Sequence, residues 1–157
     1  MNTAAVRRLN HAVLYVRDAR KSAAFYQEAF GFVVVGEFGD GAAVFMRAAE
    51  TENHHDLGLF RIGAGAPGPE RGRAGLYHLA WEVDTIQDLA AMRERLLRLG
   101  ALVGESDHGV SKSLYGHDPD GIEFEVLWTV PRESWGDLEH EAITQRLDLG
   151  AELARWG

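Results

Sequence analysis

The chain repeats itself at long range. Residues 9–16 alternate His11, Val13 and Tyr15 with Ala12, Leu14 and Val16, and a shift of 67 positions carries His11 onto His78 and Val16 onto Val83. Such alternation marks a half-buried strand, whose successive side chains point to opposite faces. After one inserted residue, Val34-Val35-Gly36-Glu37 aligns with Leu102-Val103-Gly104-Glu105. A chain built from two copies of one module is confined to folds that pair the copies, here about a pseudo-twofold axis. Histidines at the same place in the first strand of each copy would then face one shared cup.

The first copy, residues 8–62, reads as βαβββ. Asp18 is placed to cap a helix running to Ala29, with Ala23, Phe25 and Tyr26 at helical spacing and Gly31 as its stop. Strands are expected at 32–38, 42–47 and 55–62. Residues 63–75, GAGAPGPERGRAG, cannot sustain a helix or strand and read as the linker. The second copy, 76–129, restarts the pattern with a strand at 76–83, a helix at 85–99 stopped by Gly100, and strands at 101–105, 112–117 and 122–129. The expected class is α+β, one domain of residues 1–157 holding two βαβββ modules. Residues 1–7 form a lead-in, and the tail, 130–157, carries anchors at Trp135, Leu138, Leu147, Leu149, Leu153 and Trp156. That tail predicts a short amphipathic helix packed on the domain or on a partner subunit.

Composition removes whole classes of function. A formal charge of −8 lacks the basic footprint that nucleic acid requires, and the arginines from Arg93 to Arg98 sit at helical spacing as a solvated face. No apolar run approaches the ~20 residues of a membrane span and no signal-peptide core is present, so a cytoplasmic location is expected. With no cysteine, a metal could be held only by His, Asp or Glu, which selects a hard or borderline ion.

The densest chemistry lies at 106–128. Asp118-Pro119-Asp120-Gly121 is a hairpin turn: Pro presets φ, Asp bonds back to its own backbone, and Gly accepts a positive φ. Beyond it, Ile122, Phe124, Val126 and Trp128 share one parity while Glu123, Glu125 and Leu127 share the other. Across the turn Ser113, Tyr115 and His117 also share a face, so a phenol and an imidazole can sit beside two carboxylates. Alone, a histidine on a half-buried strand is most simply a hydrogen-bonded core residue. Two repeat-related histidines with one carboxylate from the last strand make a 2-His-1-carboxylate set, the geometry of non-haem Fe(II) with open positions. The set is His11, His78 and Glu125; Glu125 lies deeper than Glu123, which stays a candidate neighbour.

The repeat, His11, His78 and the DPDG turn followed by Glu125 resemble the vicinal oxygen chelate superfamily, which includes glyoxalase I, bleomycin-resistance proteins and type I extradiol dioxygenases. The resemblance implies a metal cup formed by two βαβββ sheets. His54-His55-Asp56-Leu57-Gly58-Leu59 is similar to the extradiol strand that carries an acid/base histidine, which maps onto His55. Tyr115, in the context SDHGVSKSLY, matches that family's active-site tyrosine, and His108 resembles a further pocket histidine. If alternation extends through His55, Leu57 and Leu59, His55 points into the cup and His54 away. His117 and His140 read as surface residues.

The repeat partner of Glu125 is Gly58, which has no side chain. The four-ligand arrangement that glyoxalase-type isomerases show is therefore disfavoured. The function implied is Fe(II)-dependent extradiol cleavage of a small aromatic diol by O2, with Mn(II) the alternative ion and a homodimer the expected assembly. His55 would take and return protons, and Tyr115 would hydrogen-bond the substrate. The competing readings are another metalloenzyme of the superfamily (isomerase, lyase or hydroquinone-type dioxygenase) and a non-catalytic resistance protein that binds an aromatic drug.

Overall fold

The computed structural model describes residues 4–157; the first three residues of the lead-in lie outside the described residues. Two compact units divide between Pro67 and Gly68. In the first, β1 (Ala12–Val16), α1 (Ala19–Phe30), β2 (Val33–Phe38), β3 (Ala43–Arg47) and β4 (Leu57–Arg61) build a four-stranded sheet of order β1-β4-β3-β2. The second repeats it with β5 (Leu79–Glu82), α2 (Ile86–Arg98), β6 (Leu102–Asp107), β7 (Ser111–His117) and β8 (Glu123–Thr129), in order β5-β8-β7-β6. In each sheet the outer first strand runs parallel to the last and the other pairings are antiparallel. Even the irregularity repeats: a register shift at Val34/Gly36 in β2 recurs at Leu102/Gly104 in β6.

Local chemistry sets the boundaries. The Asp18 carboxylate accepts from Lys21 N at 3.0 Å to start α1, and Gly31 closes it at φ 70°. Thr85 Oγ1 accepts from Asp88 N at 3.0 Å to start α2. At the hairpin turn Asp118 Oδ1 accepts from Asp120 N (2.8 Å) and Ile122 N (2.9 Å), and Gly121 takes φ 83°. Each helix covers one face of its sheet. Tyr26 and the alanines of α1 lie over Leu14, Val16, Val44, Met46, Leu57 and Leu59; Ile86, Leu89 and Leu96 of α2 lie over Leu114, Phe124 and Val126. A buried side chain of this kind contributes about 1.5–3 kcal/mol, so the covered faces fix which side chains remain on the open ones.

Three strands start two or three residues later than the alternation predicts. β1 begins at Ala12 because the Asn10 carbonyl is taken by Asn53 Nδ2 (2.9 Å) and the strand's first bond runs from Ala12 N to Asp56 O (2.9 Å). β4 begins at Leu57 and β5 at Leu79. Past β8 the tail makes two short 3-10 turns, Arg132–Ser134 and Gly136–His140, then α3 (Leu149–Trp156), capped by Asp148. Trp156 meets Trp128 with ring centroids 5.8 Å apart, so the expected tail helix is present and packs on its own unit. Among the described residues no helix is long and apolar enough to cross a membrane.

Candidate functional site

Strand register assembles the chemistry of the second unit on the sheet face opposite α2. β7 sets Tyr115 opposite Glu125 and His117 opposite Glu123, while β5 sets Ala80 opposite Glu125. His78, two residues ahead of Ala80, reaches the same carboxylate: its Nε2 lies 3.1 Å from Glu125 Oε2. Glu125 is buried, and its other oxygen lies 3.2 Å from Tyr115 Oη. Tyr115 Oη is in turn 2.8 Å from His108 Nε2. Glu123 stands behind this row, 3.8 Å from His78 Nδ1, 3.6 Å from His117 Nε2 and 3.8 Å from the Arg71 guanidinium. A cavity of about 340 Å³ opens here, lined by Tyr77, His78, His108, Tyr115, Glu123 and Thr144 among others.

His78 and Glu125 fit a divalent ion. Two donor atoms each about 2.1 Å from one octahedral ion, at right angles, stand roughly 3 Å apart, which matches the 3.1 Å separation. His78 Nδ1 is buried without a hydrogen bond, and the Glu123 carboxylate stands 3.8 Å behind it. Among the described residues no three His, Asp or Glu side chains gather into a metal-holding group. The chain thus holds two donors ready in its second unit, and His11 belongs to the first.

Burial, then the Glu125 charge, pushes the Tyr115 phenol up to about 12. It therefore stays a protonated hydrogen-bonding group at neutral pH. The candidate site thus offers a donor pair of one imidazole and one carboxylate, flanked by a phenol and a second imidazole.

In the first unit the His11 and His55 rings meet at a tilt of 48° with centroids 4.6 Å apart, and Phe45 meets His55 edge-on at 5.2 Å. These rings lie on the open face with Val13 and Tyr15, not on the face under α1. Strand alternation does not set the direction of His55. Leu57 and Leu59 are fully buried on the helix side, and β4 does not extend back to His55, so alternation cannot link them. Asp56 instead anchors a loop, accepting from Ala48 N (2.9 Å), Asn53 Nδ2 (2.7 Å) and Thr51 Oγ1 (3.3 Å), and this loop delivers His55 to His11. Nor does His54 turn away, since its Nδ1 lies 3.0 Å from His55 Nδ1. Partial burial, then the charges of His11 and His54, hold the His55 imidazole below its ordinary value, which keeps it a neutral proton acceptor.

Gly58 occupies the place of Glu125 in the first sheet, opposite Val13 on β1 and Phe45 on β3. A Cβ there would lie 3.5 Å from Val13 and 3.6 Å from Phe45, so the aromatic ring borders the space a ligand side chain would need. His140 is exposed and His117 half-buried. Sequence reasoning missed Asn53 and Asp56, which position the first-unit histidines, and the tail residues Ile143 and Thr144. The Ile143 carbonyl lies 3.0 Å and Thr144 Oγ1 3.3 Å from His108 Nδ1. Asn and Asp in a loop do signal side-chain-to-backbone bonding, but nothing periodic marks 143–144.

Comparison with known proteins follows the same outline. A sequence model of the Glyoxalase/Bleomycin resistance protein/Dioxygenase superfamily matches residues 8–126. A catechol-2,3-dioxygenase of Bacillus subtilis is 31% identical over 134 residues, covering 81% of this chain and 43% of that protein. A biphenyl-2,3-diol 1,2-dioxygenase of Rhodococcus globerulus is 33% identical over 149 residues, covering 87% of this chain and 73% of its own. Against several of these curated relatives the chain spans a little under half their length, 43% to 46%. Among solved structures, a glyoxylase/bleomycin resistance protein/dioxygenase domain from Frankia superposes with a TM-score of 0.68 at 23% identity, covering 80% of this chain and all of that one. It shares the vicinal oxygen chelate fold.

Proposed function

Because the chain belongs to the Glyoxalase/Bleomycin resistance protein/Dioxygenase superfamily, we propose that it is an Fe(II)-dependent extradiol dioxygenase. It would open a small catechol-type ring beside its two hydroxyls and place both atoms of O2 in the product. The observation that carries this reading is the array His78, Glu125, Tyr115 and His108 on one sheet face. Relatives named for catechol and biphenyl-diol dioxygenases support it. The isomerase alternative asks for a fourth ligand where Gly58 stands.

His78 and Glu125 would hold the ion, with His11 completing the set. A bound divalent ion would bring both substrate hydroxyls and O2 to neighbouring positions and let electron density pass from ring to oxygen. The remaining work belongs to the chain. His55, kept neutral by its surroundings, would accept a hydroxyl proton of the diol and return it to oxygen later in the cycle. Tyr115 would hydrogen-bond a substrate oxygen and stabilise charge that develops there. The assembly expected is a homodimer in the cytoplasm.

The test is oxygen uptake by protein loaded anaerobically with Fe(II), across a panel including catechol and 2,3-dihydroxybiphenyl. Uptake accompanied by a yellow ring-fission product is expected, and its absence with every diol overturns the proposal. His55→Gln should retain iron and diol affinity while turnover falls about 10²- to 10⁴-fold.

A further inference from the structure

We infer that the C-terminal tail fixes the tautomer of His108: the Ile143 carbonyl holds the ring proton on Nδ1 and so makes Nε2 the acceptor of the Tyr115 phenol proton. A backbone carbonyl can only accept, so its 3.0 Å contact with Nδ1 is a hydrogen bond only when Nδ1 carries the proton. Thr144 Oγ1, at 3.3 Å, offers that same proton a second acceptor. A neutral imidazole has one N–H. With it spent on the tail, Nε2 presents a lone pair to Tyr115 Oη at 2.8 Å.

The carbonyl is not free to drift. Gln145 and Asp107 exchange both backbone bonds, at 2.8 and 2.9 Å, one residue from the His108 ring and two from Ile143. Buried Lys112 joins Asp107 (2.6 Å) to Glu152 of α3 (3.6 Å), and Glu152 also accepts from Trp156 Nε1 (3.0 Å). The tail is thus tied to both strands of the β6–β7 turn, through Gln145 and Glu152, just beyond the contact.

The consequence falls on Tyr115, which has one proton and two acceptors in reach. His108 Nε2 at 2.8 Å is nearer than Glu125 Oε1 at 3.2 Å. At rest the phenol proton is shared between His108 and the Glu125 carboxylate, and when it lies toward His108 Tyr115 offers the open sheet face a lone pair that can accept from a substrate hydroxyl. Donating to an oxyanion then needs only rotation about the phenol C–O bond. This use of the bond rests on the ring-cleavage reading; the bond itself does not. His108 and the tail carbonyl act through Tyr115, so both are positioning groups.

The experiment is long-range 1H–15N correlation on the full chain labelled with 15N-histidine, metal-free with chelator. It is run at pH 8.5, about two units above the ordinary imidazole pKa, with His108 assigned by the signals lost in His108→Asn. The wild type should show Nδ1 protonated and Nε2 bare, together with a through-bond coupling from Nδ1 to a 13C-labelled Ile143 carbonyl. Gln145→Pro deletes the N–H given to Asp107 and should move the ring toward the Nε2–H form favoured by unconstrained histidine; Gln145→Ala should not. An Nε2–H ring or a missing coupling in the wild type overturns the inference, as does an unchanged ring in folded Gln145→Pro. If Gln145→Pro does not fold, the wild-type coupling decides alone. Full oxygen uptake with an Nε2–H ring would sink this inference but not the proposed function, and no uptake with an Nδ1–H ring would do the reverse.

Discussion

Replacing Lys112 by Met should destabilise the protein by about 3 kcal/mol, the lower end of what breaking one side of a buried ion pair costs. The Lys112 side chain is 5% exposed, and its ammonium lies 2.6 Å from Asp107 and 3.6 Å from Glu152, which are 21% and 14% exposed. Met keeps the apolar stem, so packing loss is small and the change isolates the charge. The abandoned carboxylates are not stranded: Asp107 still accepts from Gly109 N at 2.7 Å and Glu152 from Trp156 Nε1 at 3.0 Å. Those surviving bonds place the cost near the bottom of the range. At roughly 2–4 °C per kcal/mol for a chain this size, the melting midpoint should fall by about 6–12 °C. Thermal unfolding of the chelator-treated protein, at low and high salt, measures it. The shift should be nearly independent of salt, because a buried pair is little screened. Asp107→Asn on the Lys112→Met background should add much less than it does alone. A loss below about 1 kcal/mol, or strict additivity of the two changes, would refute the burial argument.

His11→Ala, His78→Ala and Glu125→Ala should each reduce Fe(II) content from near-stoichiometric to trace, measured on the purified protein; full iron in all three would remove the ligand assignment. The Tyr115 phenol, pushed up to about 12, should contribute no tyrosinate absorbance at pH 10.5 in the metal-free protein, so wild type and Tyr115→Phe should diverge only above that. Burial and the neighbouring charges of His11 and His54 hold His55 below its ordinary 6.5. The protonated form is thus disfavoured in the fold, and the acid limb of kcat/KM should lie below pH 6.5. His54→Ala, by removing one of those charges, should move the limb upward, and an unmoved limb would detach His54 from His55.

The fold was legible because its signals are local and doubled. Asp18 and Thr85 cap helices at repeat-related places, and the DPDG turn fixes where β8 begins, so each module checks the other. The face of Tyr115 and Glu125 was legible too, because both lie well inside a ladder where alternation must hold. His55 was legible as a residue but not in its direction: it precedes β4, and loop bonds to Asp56, rather than strand pleat, aim it at His11. The partners of His108 were out of reach for a different reason. Ile143 and Thr144 sit in irregular backbone brought to the β6–β7 turn by contacts more than thirty residues away in sequence. Lys112 did leave a trace, since it shares parity with buried Leu114, and a lysine on a core-facing position requires an anionic partner.

What the repeat preserves and what it abandons together locate the chemistry. Val13, Gly58 and Phe45 in the first sheet hold the same mutual register as Ala80, Glu125 and Tyr115 in the second. One scaffold therefore presents two equivalent places on two open sheet faces, and only one is armed with a carboxylate and a phenol. The other holds a glycine against an aromatic ring, which can pack against an apolar group but can neither bind a cation nor move a proton. The first unit's titratable rings, His11 and His55, stand outside the ladder, where loop bonds rather than register decide the geometry. Gly58 supplies no ligand at that place, and under the proposed ring cleavage the positions so left open on the ion would serve substrate and O2.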